Sequence, residues 1–226
     1  MGKNIWILIP AYNEHKTIAS VLTDLKLHGY IQVLVVDDGS KDATVSAAQQ
    51  NGAEVMKHLI NRGQGGALET GLQYLSKEYS PDVIITFDAD GQHQAKDIRA
   101  LIQPILDGKA DIVLGSRFLE VKCDMPLFRR IILRLGIIFT NMISGINLTD
   151  THNGLRALSK KAYTSISITH RGMEHASDII DEINKRGLRY SECPVTILYT
   201  DYSKMKGQSS LGFVRMGLKI LLKKLM

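Results

Sequence analysis

Disulfide chemistry has little to work with in this sequence: its 226 residues include two cysteines, Cys123 and Cys193. Two thiols make no disulfide framework, so a reducing, cytosolic setting fits. Long hydrophobic runs are missing too. A membrane-spanning helix needs ~18 or more apolar residues without charge, and the nearest stretch, Leu135–Ile146, is broken by Thr140, Asn141 and Ser144. The N-terminal apolar run Ile5–Ile9 reads as a strand rather than a signal peptide. Acid is missing from the end of the chain. Lys204–Met226 carries six basic residues and no acidic one, whereas the rest carries 22 basic against 23 acidic. The formal net charge of +5 therefore belongs to the tail, which argues against a nucleic-acid footprint spread over the protein. Internal repeats and low-complexity tracts are absent as well.

What is present is an ordinary globular composition, 44% hydrophobic and 23% charged, enough for one large domain. Short apolar or β-branched runs at Ile5–Ile9, Gln32–Val36, Ala53–Lys57, Val83–Phe87 and Asp111–Leu114 predict strands. Between them His15–His28, Asp42–Asn51, Gly65–Lys77 and Lys96–Leu106 predict helices, with Ser40 or Asp42 placed to cap the second. Repeated βα units imply an α/β fold with a mainly parallel central sheet flanked by helices. The second half is less regular. It predicts a helix over Leu127–Ile146, a strand over Leu155–Leu158, a helix over Met173–Lys185 and extended segments around Pro194. A polar loop, Asp201–Ser210, then leads to a terminal helix.

Ligands of such sheets bind beyond the carboxyl ends of the strands, where three polar clusters stand. Asp88-Ala89-Asp90 follows Val83–Phe87. Two carboxylates flanking one small residue suit a hard divalent cation that also bridges a diphosphate; the alternative is a solvated turn. Asp37-Asp38-Gly39-Ser40 offers acceptors for a base N–H or a ribose hydroxyl, although Gly39, Ser40 and Asp42 are equally well explained by a turn and a helix cap. Pro10-Ala11-Tyr12-Asn13-Glu14 offers an aromatic face for stacking and a carboxylate at a helix start. Asn61–Ala67 is rich in glycine and permits close backbone approach, but its spacing is neither a dinucleotide fingerprint nor a P-loop. His58, His93 and His175 are read as mostly structural, with His93 bordering the acidic pair.

Together, Pro10–Glu14, Val35–Thr44, Asn61–Leu68, Phe87–His93, Gly115–Phe118 and Thr149–Ser159 stand in an order that resembles the inverting glycosyltransferases of family 2, which have the GT-A fold. The nearest subgroup is the dolichyl-phosphate mannose synthase-like, or polyprenyl-phosphate, glycosyltransferases. The resemblance implies transfer of a sugar from a nucleotide-diphosphate sugar to a polyprenyl-phosphate-type lipid acceptor. It implies that Pro10, Tyr12, Glu14 and Asp37 or Asp38 hold the nucleotide, with Ala89 beside them. Asp88, Asp90 and Gln92 would hold Mg²⁺ or Mn²⁺. Arg117 would contact the diphosphate or the transferring sugar, and Arg129, Arg130 and Arg156 the acceptor phosphate. Lys204 stands where the family has an arginine, and Asp178 where the subgroup has a glutamate.

A phosphate acceptor is already ionised and needs no strong base. A glycan or lipid-linked oligosaccharide acceptor would need one, for which Asp150 or Asp178 is available. Nucleotidyl transfer is disfavoured, because a glycine-rich N-terminal loop is missing. A catalytically inactive nucleotide-sugar-binding partner of a membrane protein is the non-enzymatic alternative. The expected organisation is a catalytic domain over residues 1–210 and a basic amphipathic helix over 211–226. The helix suits an anionic membrane surface or a small membrane-protein partner, with the protein peripheral at the cytoplasmic face.

Overall fold

The computed structural model describes residues 3–119, 127–172 and 174–198. The expected terminal helix and Lys204 lie outside the described residues. Seven strands make one sheet: β1 (Ile5–Ala11), β2 (Val33–Asp37), β3 (Glu54–Lys57), β4 (Val83–Thr86), β5 (Ile112–Ser116), β6 (Arg156–Ser159) and β7 (Tyr190–Pro194). Their spatial order is β3-β2-β1-β4-β6-β5-β7. The pairings β3-β2, β2-β1, β1-β4 and β5-β7 are parallel, whereas β6 runs antiparallel to both its neighbours. The sheet is thus mainly parallel, as expected, with one reversed strand that local sequence pattern does not encode.

Strand sequences with both faces buried read as unbroken apolar runs, because successive side chains enter opposite layers. In β1, Ile7 and Ile9 pack into one core with Val35 and Ile85. Trp6 and Leu8 pack into the other with Leu34 and Ile84. Each such buried side chain contributes roughly 1.5–3 kcal/mol of transfer free energy. Helix α1 (Ile18–Leu27) buries Ile18, Val21, Leu22 and Leu25, the three-and-four spacing of a single face. It covers the first layer with α2 (Thr44–Gln50) and α4 (Ile98–Leu106), the last entered through a 3₁₀ turn at Ala95–Asp97. Helix α3 (Gln64–Glu78) covers the second layer and lies so close to β1 that a Cβ at Gly71 would sit 2.2 Å from Leu8 Cδ1.

Helix α5 (Leu127–Ser144) precedes β6. A short α6 (Lys160–Ser165), which the periodicity did not predict, starts where Ser159 Oγ accepts the Ala162 amide. Helix α7 (His175–Lys185) then leads to β7, whose last residue is Pro194. The expected second extended segment, from Val195, is not a strand in the described residues. Asp42 acts at the start of α2, its Oδ1 accepting the Thr44 amide at 3.0 Å. Ser40 is used elsewhere, as described below.

Candidate active site

Adjacency of β2, β1 and β4 brings the three polar clusters together along one edge of the sheet. Two of them are stapled to each other. The Asn13 amide donates to Ser40 Oγ at 2.9 Å, the Lys41 amide to Asn13 Oδ1 at 2.9 Å, and the Glu14 amide to Thr44 Oγ1 at 2.8 Å. Asn13 turns with φ 54°, a left-handed conformation that asparagine tolerates better than most residues. The staple leaves the Tyr12 side chain outside, 41% exposed, while Glu14 is buried and accepts a hydrogen bond from Thr17 Oγ1 at 3.0 Å. Pro10 is half-buried on β1.

The two neighbouring aspartates have different surroundings. Asp38 holds the following loops: Oδ1 accepts from His58 Nδ1 and the Arg62 amide, both at 2.8 Å, and Oδ2 from the Gly63 amide at 2.7 Å. Asp37 accepts the Ser40 amide on Oδ2 at 3.1 Å, and its buried Oδ1 has no donor. His58, bonded also to Thr70 Oγ1 at 3.0 Å, is structural as expected.

The glycine-rich segment does permit close approach, but the chain's own backbone occupies the space. The Gly65 amide donates to Arg171 O at 2.8 Å. A Cβ at Gly63 would stand 2.2 Å from that same oxygen, and one at Gly65 2.1 Å from His170 O. This contact sets the start of α3, from which Gln64 reaches across to Asp88.

Asp88 is held by side chains from two other segments of the chain. Gln64 Nε2 donates to its Oδ1 at 3.1 Å, and His93 Nε2 lies 2.9 Å from its Oδ2. Gly154 abuts it closely enough that a Cβ there would be 2.4 Å from Oδ2. Burial opposes ionisation of Asp88, but the hydrogen bond and charge of His93, with the charges of His175 and Arg156, hold its carboxyl below the ordinary range. Asp90 behaves oppositely: burial and the charge of Asp88 push its carboxyl up to about 6. Its Oδ1 accepts the Gln92 amide at 3.0 Å. A carboxylate held back from ionising by a like neighbour is the electrostatic situation a cation relieves. Among the described residues no three His, Cys, Asp or Glu side chains gather as a metal cage. The carboxylates of Asp88 and Asp90, with Gln92 joined to Asp90 through its amide, supply oxygen donors of the kind that Mg²⁺ or Mn²⁺ takes together with phosphate oxygens and water. The residues fit such an ion.

Arg156 arrives here because β6 is antiparallel: it pairs with Thr86, two residues before Asp88. It is 1% exposed, and its Nε and Nη1 have no hydrogen-bond partner. Burial lowers its pKa to about 10, with Asp88 and Asp150 opposing that shift. Arg117, just beyond β5, grips Asp150 through Nε–Oδ2 at 2.6 Å and Nη2–Oδ1 at 2.8 Å. Asp178, at the start of α7, accepts from the Thr169 amide and hydroxyl, the His170 amide and His170 Nδ1, all between 2.5 and 3.1 Å. Arg129 and Arg130 lie in the first turn of α5, with side chains outside the described ones.

The structure therefore brings Asp88, Ala89, Asp90, Gln92 and Arg156 together with the Pro10–Glu14 and Asp37–Asp38 turns. It adds His93, Gln64, Gly154 and His175, which sequence reasoning did not assign to the site. Gln64, His93 and Gly154 fall within the segments Asn61–Leu68, Phe87–His93 and Thr149–Ser159, whereas His175 carried no such signal.

Residues 6–166 match the profile of the family described as glycosyl transferase family 2. An uncharacterized protein of Methanocaldococcus jannaschii is 41% identical over 228 residues, covering 98% of this chain and 91% of that one. The UDP-N-acetylglucosamine–dolichyl-phosphate N-acetylglucosaminyltransferase of Methanococcus voltae is 36% identical over 246 residues, 99% and 96% of the two chains. The undecaprenyl-phosphate mannosyltransferase of Micrococcus luteus is 29% identical over 229 residues, 93% of each. Among solved structures, glucosyl-3-phosphoglycerate synthase from Mycobacterium tuberculosis superposes with a TM-score of 0.73 at 20% identity, covering 97% of this chain and 78% of that one. That likeness is one of fold.

Proposed function

The chain belongs to glycosyl transferase family 2 and is a glycosyltransferase; from that premise we propose that it moves a sugar, with inversion, from a nucleotide-diphosphate donor to a polyprenyl phosphate. The observation that carries the acceptor is the state of the carboxylates available as bases. Asp150 is buried and takes Arg117 on both oxygens, plus the Arg117 and His152 amides. Asp178 is engaged by the loop before α7. A carboxylate whose lone pairs are filled by fixed donors is a poor proton acceptor. An acceptor that attacks without losing a proton suits this site, and a phosphate monoester is one.

Arg156 supports the same reading, since a buried guanidinium with two unmet donors is stabilised by an anion that brings oxygens to it. The names of the relatives from Methanococcus voltae and Micrococcus luteus specify dolichyl-phosphate and undecaprenyl-phosphate.

In this account Asp88 and Asp90, with Gln92, hold Mg²⁺ or Mn²⁺. When bound there, such an ion would supply positive charge toward a departing nucleoside diphosphate. His93 and Gln64 fix the rotamer of Asp88, Tyr12 stacks on the base, and Pro10, Glu14 and Ala89 shape the nucleotide end. Asp38 organises the loops, and the unmet Oδ1 of Asp37 is the acceptor for a base N–H or a ribose hydroxyl. A phosphate oxygen of the acceptor attacks the anomeric carbon opposite the leaving diphosphate, the C–O bond to that diphosphate breaks, and Arg117, Arg156 and the α5 arginines balance the charge. Lys204, from the loop that ends the expected 1–210 catalytic domain, adds a cation to the donor. No helix among the described residues is long and apolar enough to cross a membrane. The lipid acceptor of this reading puts the protein's work at the cytoplasmic face of a membrane, as a peripheral protein that meets a small membrane-protein partner. Purified protein with Mn²⁺, polyprenyl phosphate and a panel of nucleotide sugars tests the proposal: one donor should yield a glycosylated lipid phosphate, and failure of every donor would refute it.

A further inference from the structure

Strand β7 carries a carboxylate that reaches the loop before β6. Tyr190 and Glu192, two residues apart, present their side chains on one face of the strand, and both bond to Asn147–Asp150. Glu192 Oε1 accepts from the Thr149 amide at 2.9 Å, the Thr149 hydroxyl at 2.8 Å and the Asp150 amide at 3.1 Å. Its Oε2 accepts the same Thr149 amide at 2.9 Å. Tyr190 Oη accepts the Asn147 amide at 3.3 Å.

Hydrogen counting gives these contacts a direction. The Thr149 hydroxyl has one hydrogen, and a carboxylate acceptor takes it. The 2.6 Å contact between Thr149 Oγ1 and Ser116 Oγ is then donated by Ser116. Ser116, buried at the end of β5, in turn accepts the Phe118 amide at 3.2 Å. A one-way chain thus runs from the Phe118 amide through the Ser116 and Thr149 hydroxyls to Glu192. It fixes the residues on either side of Arg117, while the bond from the Asp150 amide to Glu192 fixes the residue that Arg117 grips. Strand register sets this reach: Glu192 pairs with Leu114, two residues before Ser116 on parallel β5.

We infer that Glu192 is a positioning residue, which holds the Arg117–Asp150 pair in place through Thr149, Ser116 and the Asp150 backbone. The inference deepens the proposed function and rests on it for the role of Arg117 in balancing charge as the diphosphate departs. A carboxylate suits the position because it accepts from three donors at once and has no hydrogen of its own to oppose them. A glutamine would turn its amide group either toward the Thr149 amide or toward all three donors.

The test uses the full-length protein and a signal that does not depend on turnover. Nitrogen-15 spectra report the Arg117 Nε–H, which donates to buried Asp150 at 2.6 Å and is identified by its loss in Arg117→Lys. In Glu192→Gln its exchange with water should quicken by roughly tenfold or more. Thr149→Val, which breaks the hydroxyl chain at an exposed residue, should quicken it too, and Thr149→Ser, which keeps the hydroxyl, should restore it. If Glu192→Gln does not fold, Thr149→Val decides by the same signal. Tyr190→Phe frees the same loop at Asn147 and should leave both exchange and turnover as in the wild type. In transfer to polyprenyl phosphate, Glu192→Gln should lower kcat by roughly 10–100-fold with little change in KM for the donor. Undiminished protection of the Arg117 signal in Glu192→Gln would overturn the inference, as would an undiminished kcat. So would equal losses in Glu192→Gln and Tyr190→Phe, which would make Glu192 one loop fastener among others. A wild type that never glycosylates polyprenyl phosphate, with Arg117 loosened in the variants as expected, would instead refute the proposed function and leave the positioning of Arg117 by Glu192 standing.

Discussion

Arg117 and Asp150 form a bidentate pair, Nε to Oδ2 at 2.6 Å and Nη2 to Oδ1 at 2.8 Å, and the Arg117 and His152 amides fill the remaining acceptor positions of the carboxylate at 3.1 and 3.2 Å. Such a carboxylate stays ionised, as its lowered pKa indicates against the opposing effect of burial. It anchors an arginine at the edge of the site and has no lone pair spare for an incoming hydroxyl.

The first prediction concerns the other potential base. Replacing Asp178 by Asn removes charge and part of the support for the loop at Thr169–His170, so a fall in kcat/KM below about tenfold is expected, with the acid limb of the pH–rate profile unmoved. Loss of a general base costs roughly 10²–10⁴-fold and removes its limb. Kinetics from pH 5 to 9 distinguish the two outcomes.

Asp90→Asn takes away one ligand of the proposed cation. Stabilisation of a leaving group by a metal is worth several kcal/mol, so turnover should drop by roughly 10²-fold or more. EDTA should silence the wild type, and Mn²⁺ should restore it. Calorimetric titration with Mn²⁺ would show whether the variant still binds the ion.

Gly154→Ala tests the support of Asp88 without touching a charged group. Its Cβ would fall 2.4 Å from Asp88 Oδ2 and 2.7 Å from Oδ1, so the carboxylate must swing aside. Metal affinity should weaken by roughly 10–100-fold, the range found when the partners of a ligand are disturbed. The thermal midpoint without metal should change little.

Stability in acid should carry the mark of His175. Burial first, and then the charge of Arg156, lower its pKa to about 4, with Asp88 and Asp178 opposing. Its unfolded value is about 6.5. Between these values the unfolded chain binds the extra proton, so this group's contribution rises with pH through the window and is lost as pH falls from 6.5 toward 4. Asp90 acts in the opposite direction, because its carboxyl, raised to about 6, keeps a proton in the folded state that the unfolded chain has released. Comparison with His175→Gln isolates the histidine. By pH 4.5 the wild type should have lost roughly 2 kcal/mol more than the variant, relative to pH 7, as measured by urea unfolding.

Much of this was legible in the sequence, for a local reason. A strand buried on both faces must be continuously apolar, and the polar residue that ends it marks the edge of the sheet. Ile5–Ile9 followed by Pro10–Glu14, Gln32–Val36 followed by Asp37–Ser40, and Val83–Phe87 followed by Asp88–His93 mark the three turns along that edge. What local pattern could not carry were relationships made by pairing and packing. The reversal of β6 decides that Arg156 lies buried behind Asp88 rather than open on the surface. The glycines at 63 and 65 do mark a close approach, but their composition cannot reveal that the visitor is the backbone of His170–Arg171. Asp37 and Asp38, identical and adjacent, point into opposite layers of a sheet edge, and only the fold separates the one bound to three loop donors from the one with an unmet oxygen.

The central claim is that the acceptor is a lipid phosphate which attacks without a protein base. It is tested most directly by offering the purified protein, with Mn²⁺ and its nucleotide sugar, matched acceptors of one chain length: the polyprenyl phosphate and the corresponding free polyprenol. Glycosylated polyprenyl phosphate as the sole lipid product is the expected result. Transfer to the free alcohol at a comparable rate would contradict the account.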